Sequence, residues 1–138
     1  MERSLTIPSD PAAIDQVEAF LANLAAELEL SDAHAGDLII AGTEAANNAI
    51  LHGNRSQPGL RVRLEARLET NNGLRRLRLA VCDQGPLDWH LPLDDPTSTE
   101  HLWDISGRGL LIIRHLMDEV RIEPSPRGTC IVMLKALA

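Results

Sequence analysis

The sequence predicts an α+β fold, a two-layer sandwich in which a mainly antiparallel sheet carries its helices on one face. Three patterns point to it. Two helical apolar stripes lie before residue 54, an alternating segment then doubles back at Asn72-Gly73, and a short third helix is followed by two more strand-like segments. Strands mixed with two early helices bury one face of the sheet under a helical layer, and no internal repeat or linker divides residues 1–138, so one domain is expected.

The first helix opens at Asp10-Pro11, a capping residue followed by proline at the first helical position, and Ile14, Val17, Leu21, Leu24 and Leu28 form its apolar stripe. Ser31 caps the second. Its packing residues are Leu38, Ile39, Ala46, Ala49 and Ile50, and Gly53 is expected to end it in a left-handed conformation. From Leu60 to Glu69 apolar and charged residues alternate, the period of a half-buried strand. With Asn72-Gly73 as a tight turn, Leu68 faces Leu77, Ala66 faces Leu79 and Leu64 faces Val81. The other face pairs Glu69 with Arg76 and sets Arg67 across from Arg78, which suits either a solvated sheet face or a surface for an acidic protein. An irregular segment from Gly85 to Ser106 precedes a helix from Gly109 to Met117 and strands over 119–123 and 129–134.

Composition narrows the function. With 44% hydrophobic and 24% charged residues the chain is ordinary globular protein, and its apolar runs are too short to cross a bilayer. A net charge of −7 argues against non-specific nucleic-acid binding, which needs many cations against phosphates. The N-terminus carries no secretory pattern, so a cytoplasmic location is expected. Cys82 and Cys130 fall in strands without metal-ligand spacing, and are expected to be reduced thiols in or near the core.

The densest chemical signal is Glu44-Ala-Ala-Asn-Asn48-Ala-Ile-Leu-His52-Gly53. At about 100° per residue, Asn48 lies roughly 40° and His52 roughly 80° from Glu44, so one helix face offers a carboxylate, an amide and an imidazole. Such a face is either solvated or a site, and His52 alone suits a partner for terminal carbonyls. Three other segments widen the choice. Asp83-Gln-Gly85-Pro puts a carboxylate at a strand end beside a glycine that admits close backbone approach. Gly107-Arg108-Gly109 opens a helix, where free backbone amides favour an anion. Gly128-Thr129 is explained by a turn alone. Segments as long as 85–106 without regular structure are uncommon in compact domains and are often lids.

Taken in order, ExxxNAxxHG on a helix, DxG after a strand, a long loop, GRGL opening a helix and GT before a final strand resemble the GHKL nucleotide-binding fold of gyrase and histidine kinases. The resemblance covers nearly the whole chain. The form of the helix motif and the run Gly109-Leu-Leu-Ile-Ile-Arg-His-Leu-Met117-Asp118-Glu-Val120 are most similar to the anti-sigma-factor serine/threonine kinases, the RsbW-like group.

That resemblance implies ATP and Mg²⁺ as cofactors. It implies that Asn48 holds Mg²⁺, that Glu44 orients or deprotonates a substrate hydroxyl, and that Asp83 accepts the adenine amino proton with Gly85 letting the base lie close. Gly107, Arg108 and Gly109 would enclose the phosphates, and Thr129 would support Asp83 or the base. A sigma factor and a STAS-type antagonist would be its protein partners, with no direct nucleic-acid or membrane contact, and a homodimer its assembly. One departure stands out: Leu87 occupies the second glycine of the usual DxGxG, which bears on the loop's course. Trp89 and Trp103 are expected to pack the lid. An ATP-binding module without phosphoryl transfer is the alternative function; the catalytic part of a histidine kinase is disfavoured, since the chain lacks a dimerisation helix pair bearing a phosphoacceptor His.

Overall fold

A computed structural model describes residues 1–85 and 109–137. Within them, β1 (Glu2–Pro8), α1 (Ile14–Glu27), α2 (Asp32–Asn48), β2 (Arg61–Asn71), β3 (Leu74–Cys82), α3 (Gly109–Leu116), β4 (Glu119–Pro124) and β5 (Thr129–Ala136) follow in order. The strands form a sheet of order β1-β2-β3-β5-β4, and every neighbouring pair is antiparallel. The α+β architecture is therefore as the sequence predicts. β1 was not anticipated; its residues pair with β2 from Glu2 opposite Arg67 to Pro8 opposite Arg61.

Local chemistry sets the helix starts. Asp10 caps the 3₁₀ turn Pro11–Ala13 that leads into α1, accepting the Ala12 amide at 2.9 Å, and Ser31 Oγ accepts the His34 amide at 3.1 Å at the start of α2. Each satisfies a donor that the first turn leaves without an internal partner. Behind these caps Val17, Leu21, Leu24 and Leu28 of the α1 region and Leu38, Ala41, Ala45 and Ala46 of α2 bury against the sheet.

The hairpin register is the expected one: Leu68 opposes Leu77, Ala66 opposes Leu79, and Leu64 opposes Val81. Asn72 and Gly73 both take positive φ, 52° and 78°, as a two-residue turn matched to strand twist requires. Arg67 does stand across from Arg78, and turns instead to Glu69 at 3.0 Å, which Arg76 also holds at 3.0 Å. The two guanidinium groups keep the Glu69 carboxyl below its ordinary range. On the inner face, Lys135 is buried; it donates to the Leu116 carbonyl at 2.7 Å and pairs with Asp37 at 3.2 Å, tying the end of α3 to α2.

Two expectations are corrected. Gly53 is not left-handed: α2 continues into a π turn over Ala49–Gly53, and the positive φ values come later, at Arg55 (51°) and Ser56 (55°). The reason Gly53 must be glycine is contact, described below. Cys82 and Cys130 are not separate thiols but form a disulfide. Their spacing of 48 residues resembles no motif, yet the β3–β5 register sets them directly opposite one another. Among the described residues no helix is long and apolar enough to cross a membrane.

Gly42 shows how closely α2 lies on its neighbours. A Cβ there would meet Leu21 Cδ1 at 2.5 Å and Leu79 Cδ2 at 3.2 Å, both in the core. Gly42→Ala should therefore lose about 1–2 kcal/mol of unfolding free energy even though alanine is the better helix former, a change that urea titration reads directly.

Candidate functional site

The helix α2 and its π turn carry polar groups to two places. At the first, Glu44 and Asn48 converge on the start of α3. A Cβ on Gly109 would lie 3.0 Å from Asn48 Nδ2, 3.2 Å from Glu44 Oε2 and 3.3 Å from Asn48 Oδ1. Glycine lets the first turn of α3, whose amides have no partners within the helix, come up against the carboxylate and the amide. Asn48 is only 6% exposed, and its Nδ2 is buried without a hydrogen-bond partner among the described residues. A buried orphan amide is costly unless a ligand completes it. Glu44 and His52 are half-buried.

The second place is the end of β3. Asp83 is 4% exposed, and its Oδ1 accepts the Gly85 amide at 3.1 Å and the Thr129 amide at 3.3 Å. The Asp83 amide in turn donates to the Thr129 carbonyl at 2.8 Å. Glycines enclose this carboxylate. A Cβ on Gly53 would fall 2.2 Å from Asp83 Oδ2, one on Gly128 2.2 Å from the Asp83 carbonyl oxygen, and one on Gly85 1.5 Å from the Gly53 carbonyl oxygen. No side chain fits at any of the three, so the helix end and the strand end meet backbone to backbone. Asn48 ends α2 and Gly53 ends the π turn that follows it, so about 7 Å of helix rise separates the two places along the axis.

Asn54 and Gln84 hold that meeting in register, and neither was singled out from the sequence. Asn54 is fully buried; its Nδ2 donates to the Arg61 carbonyl at 2.9 Å and its Oδ1 accepts the Gln84 amide at 2.8 Å. Gln84 Oε1 accepts the Arg61 amide at 2.8 Å. The available signal was small: an Asn directly after the helix-ending glycine. Thr129 is buried beside Asp83. Gly107 and Arg108 of the expected phosphate loop, with Leu87, Trp89 and Trp103, lie outside the described residues.

Burial pushes the Asp83 carboxyl up to about 6, while its two backbone hydrogen bonds work in the opposite direction. The carboxyl is thus more easily neutral in the folded chain than in the unfolded one. Its ionisation penalises the fold in full above pH 6, and the penalty vanishes as pH falls below about 4. Asp83→Asn should therefore stabilise the protein relative to wild type by up to about 3 kcal/mol at pH 8 and by little at pH 4, in chemical denaturation at both pH values.

Among the described residues no three or more His, Cys, Asp or Glu side chains gather into a metal site. The oxygens Glu44 Oε2 and Asn48 Oδ1 beside Gly109 nevertheless fit Mg²⁺, which takes one or two protein oxygens and fills the rest of its shell with water and phosphate. The α2 region thus brings a helix start, an acid and an orphan amide together at one place and a caged carboxylate at the other. The chain belongs to the histidine kinase-like ATPase domain family, whose model matches residues 7–135. Within that family it is similar to the anti-sigma F factor of Pasteuria penetrans, 29% identical over 99% of this chain and 90% of the relative. It is also similar to the serine-protein kinase RsbW of Bacillus pumilus (strain SAFR-032), 28% identical over 96% of this chain and 84% of the relative. The crystal structure of the RsbU and RsbW domains of Rv1364c from Mycobacterium tuberculosis shares the fold, with a TM-score of 0.67 at 21% identity. That likeness covers 99% of this chain and 32% of the larger one.

Proposed function

We propose that the chain, as a single domain, is an ATP-dependent serine/threonine protein kinase that acts as an anti-sigma factor. It would sequester a sigma factor and phosphorylate an antagonist of the STAS type, working as a homodimer in the cytoplasm. The observation that carries the catalytic part is the convergence of Glu44 and the orphan amide of Asn48 on the amino end of α3. The regulatory partners rest on similarity to the anti-sigma F factor and RsbW.

Each residue then has a task. Asp83, ionised above about pH 6, accepts the amino group of adenine, and Gly53 and Gly85 leave no side chain between the base and the backbone. Thr129 holds the acceptor carboxylate in place through its amide. The start of α3 offers its free amides to phosphate, with Gly107 and Arg108 preceding it in the chain. Asn48 would hold Mg²⁺ through its side-chain oxygen, and the ion supplies charge neutralisation on the transferring phosphoryl group. Glu44, one turn before Asn48, orients the substrate hydroxyl and takes its proton as the oxygen attacks phosphorus. Phosphoryl transfer asks mainly for position and charge, so this short set of groups suffices.

Glu44→Ala should bind Mg·ATP with near wild-type affinity and lose about a hundredfold or more in phosphoryl transfer to a cognate antagonist, read with radiolabelled ATP. Asn48→Ala should instead weaken Mg-dependent binding by about tenfold, by calorimetry. Undiminished transfer by Glu44→Ala removes Glu44 as the base; ATP binding by the wild type without any transfer favours the non-catalytic module.

A further inference from the structure

One reactive group has no part in this chemistry: the Cys82–Cys130 disulfide. It flanks the caged carboxylate on both strands, since Cys82 directly precedes Asp83 and Cys130 directly follows Thr129. Asp83 donates its amide hydrogen to the Thr129 carbonyl, so these two form a hydrogen-bonded pair of the ladder and the cysteines form the adjacent pair that has no backbone bonds of its own. At that step the sulfur bridge alone joins the strands. Alternation along β3 turns Cys82 to the outer face of the sheet, away from α2, while Val81 on one side of it is in the core.

The bridge is also within reach of solutes. Both cysteines are half-buried, and Cys82 lines a cavity of about 350 Å³ together with Thr6, Arg61, Arg63, Ser125 and Arg127. Arg63 is paired with Glu65, and Arg61 and Arg127 give the cavity beside Cys82 the cationic groups that draw in anionic thiols.

We propose that Cys82–Cys130 is a redox-active site whose reductant is an anionic low-molecular-weight thiol of the glutathione class, and that its reduction loosens the Asp83 end of the site. The effect on ligand affinity rests on the nucleotide reading given above. A thiolate in the cavity attacks the Cys82 sulfur, the sulfur–sulfur bond breaks, and Cys130 leaves as a thiolate. A second thiolate attacks the sulfur of the bound donor in this mixed disulfide and releases Cys82. The two donors leave as their own disulfide, and the protein gains two electrons and, on protonation of both sulfurs, two protons. With the bridge open, the last rungs of β3 and β5 are held by their backbone bonds alone. Gly128 admits no atom between itself and Asp83, so a small separation of the strands breaks the cage.

The test compares oxidised wild type with protein reduced by excess glutathione, following hydrogen exchange at the Thr129 and Gly85 amides and Mg·ATP affinity. Reduction should speed exchange at both amides and weaken affinity by about fivefold or more, and oxidised glutathione should restore both. Glutathione should reduce the bridge about tenfold faster than neutral 2-mercaptoethanol at equal thiolate concentration, an advantage that Arg61→Gln/Arg127→Gln diminishes. The Cys82→Ser/Cys130→Ser variant should match reduced wild type and ignore both reagents. A bridge that glutathione leaves intact, or exchange rates and affinity equal in the two states, overturns the proposal while leaving the nucleotide site standing. Absence of Mg·ATP binding in both states overturns the nucleotide reading itself, and the control of affinity with it.

Discussion

The meeting of the α2 end with the β3 end depends on one contact, the enclosure of the Asp83 carboxylate by backbone. Gly53 and Gly128 approach Asp83 too closely for any side chain, and Gly85 approaches Gly53 in the same way. A carboxylate held so tightly is desolvated, which is why its acidity weakens, and its two amide donors recover only part of the lost hydration. A neutral acceptor such as asparagine would keep those two bonds without that penalty. The retained acid is a cost to folding that a ligand donor can offset, as a functional group often is.

The same contact explains the irregular end of α2. A helix that simply stopped at Asn48 would not bring the Gly53 carbonyl under Gly85; the π turn adds the extra residue that makes the reach, and π turns recur at functional sites. Asn54 then satisfies the Gln84 amide and the Arg61 carbonyl, joining the loop after α2 to β2 and to the segment that follows β3. At the opposite end of the helix face, Glu44 and Asn48 need only Gly109 to be small. One helix thus sets the distance between two chemically different places, and packing at Gly42 against Leu21 and Leu79 fixes the height of that helix over the sheet.

Much of this was legible in the residues. The β2–β3 register followed from Asn72-Gly73 and strict alternation, because a slip of one residue would have turned Leu64, Ala66 and Leu68 to solvent. The juxtaposition of Glu44 and Asn48 followed from helical spacing, and the resemblance to GHKL proteins gave Thr129 the support of Asp83 or of the base. β1 stayed hidden because Glu2-Arg-Ser-Leu-Thr-Ile-Pro8 has few apolar residues and only Ile7 is buried outright. The disulfide stayed hidden because β3 and β5 are distant in sequence, and only their register brings Cys82 opposite Cys130. Gly53 was read as a helix stop by its conformational freedom, when its role is to leave room for a carboxylate. Asn54 escaped notice since its partners lie elsewhere in the fold, Arg61 in β2 and Gln84 after β3.

The claim at the centre is that the two ends of the α2 face form one nucleotide site. Backbone NMR of the uniformly labelled protein titrated with Mg·ATP tests it most directly. Shifts at Gly53, Asp83, Gly85 and Thr129 together with shifts at Glu44, Asn48 and Gly109, all saturating with one affinity, are the predicted result. Shifts confined to the outer sheet face around Arg67, Arg76 and Arg78, with the α2 edge unmoved, would contradict it.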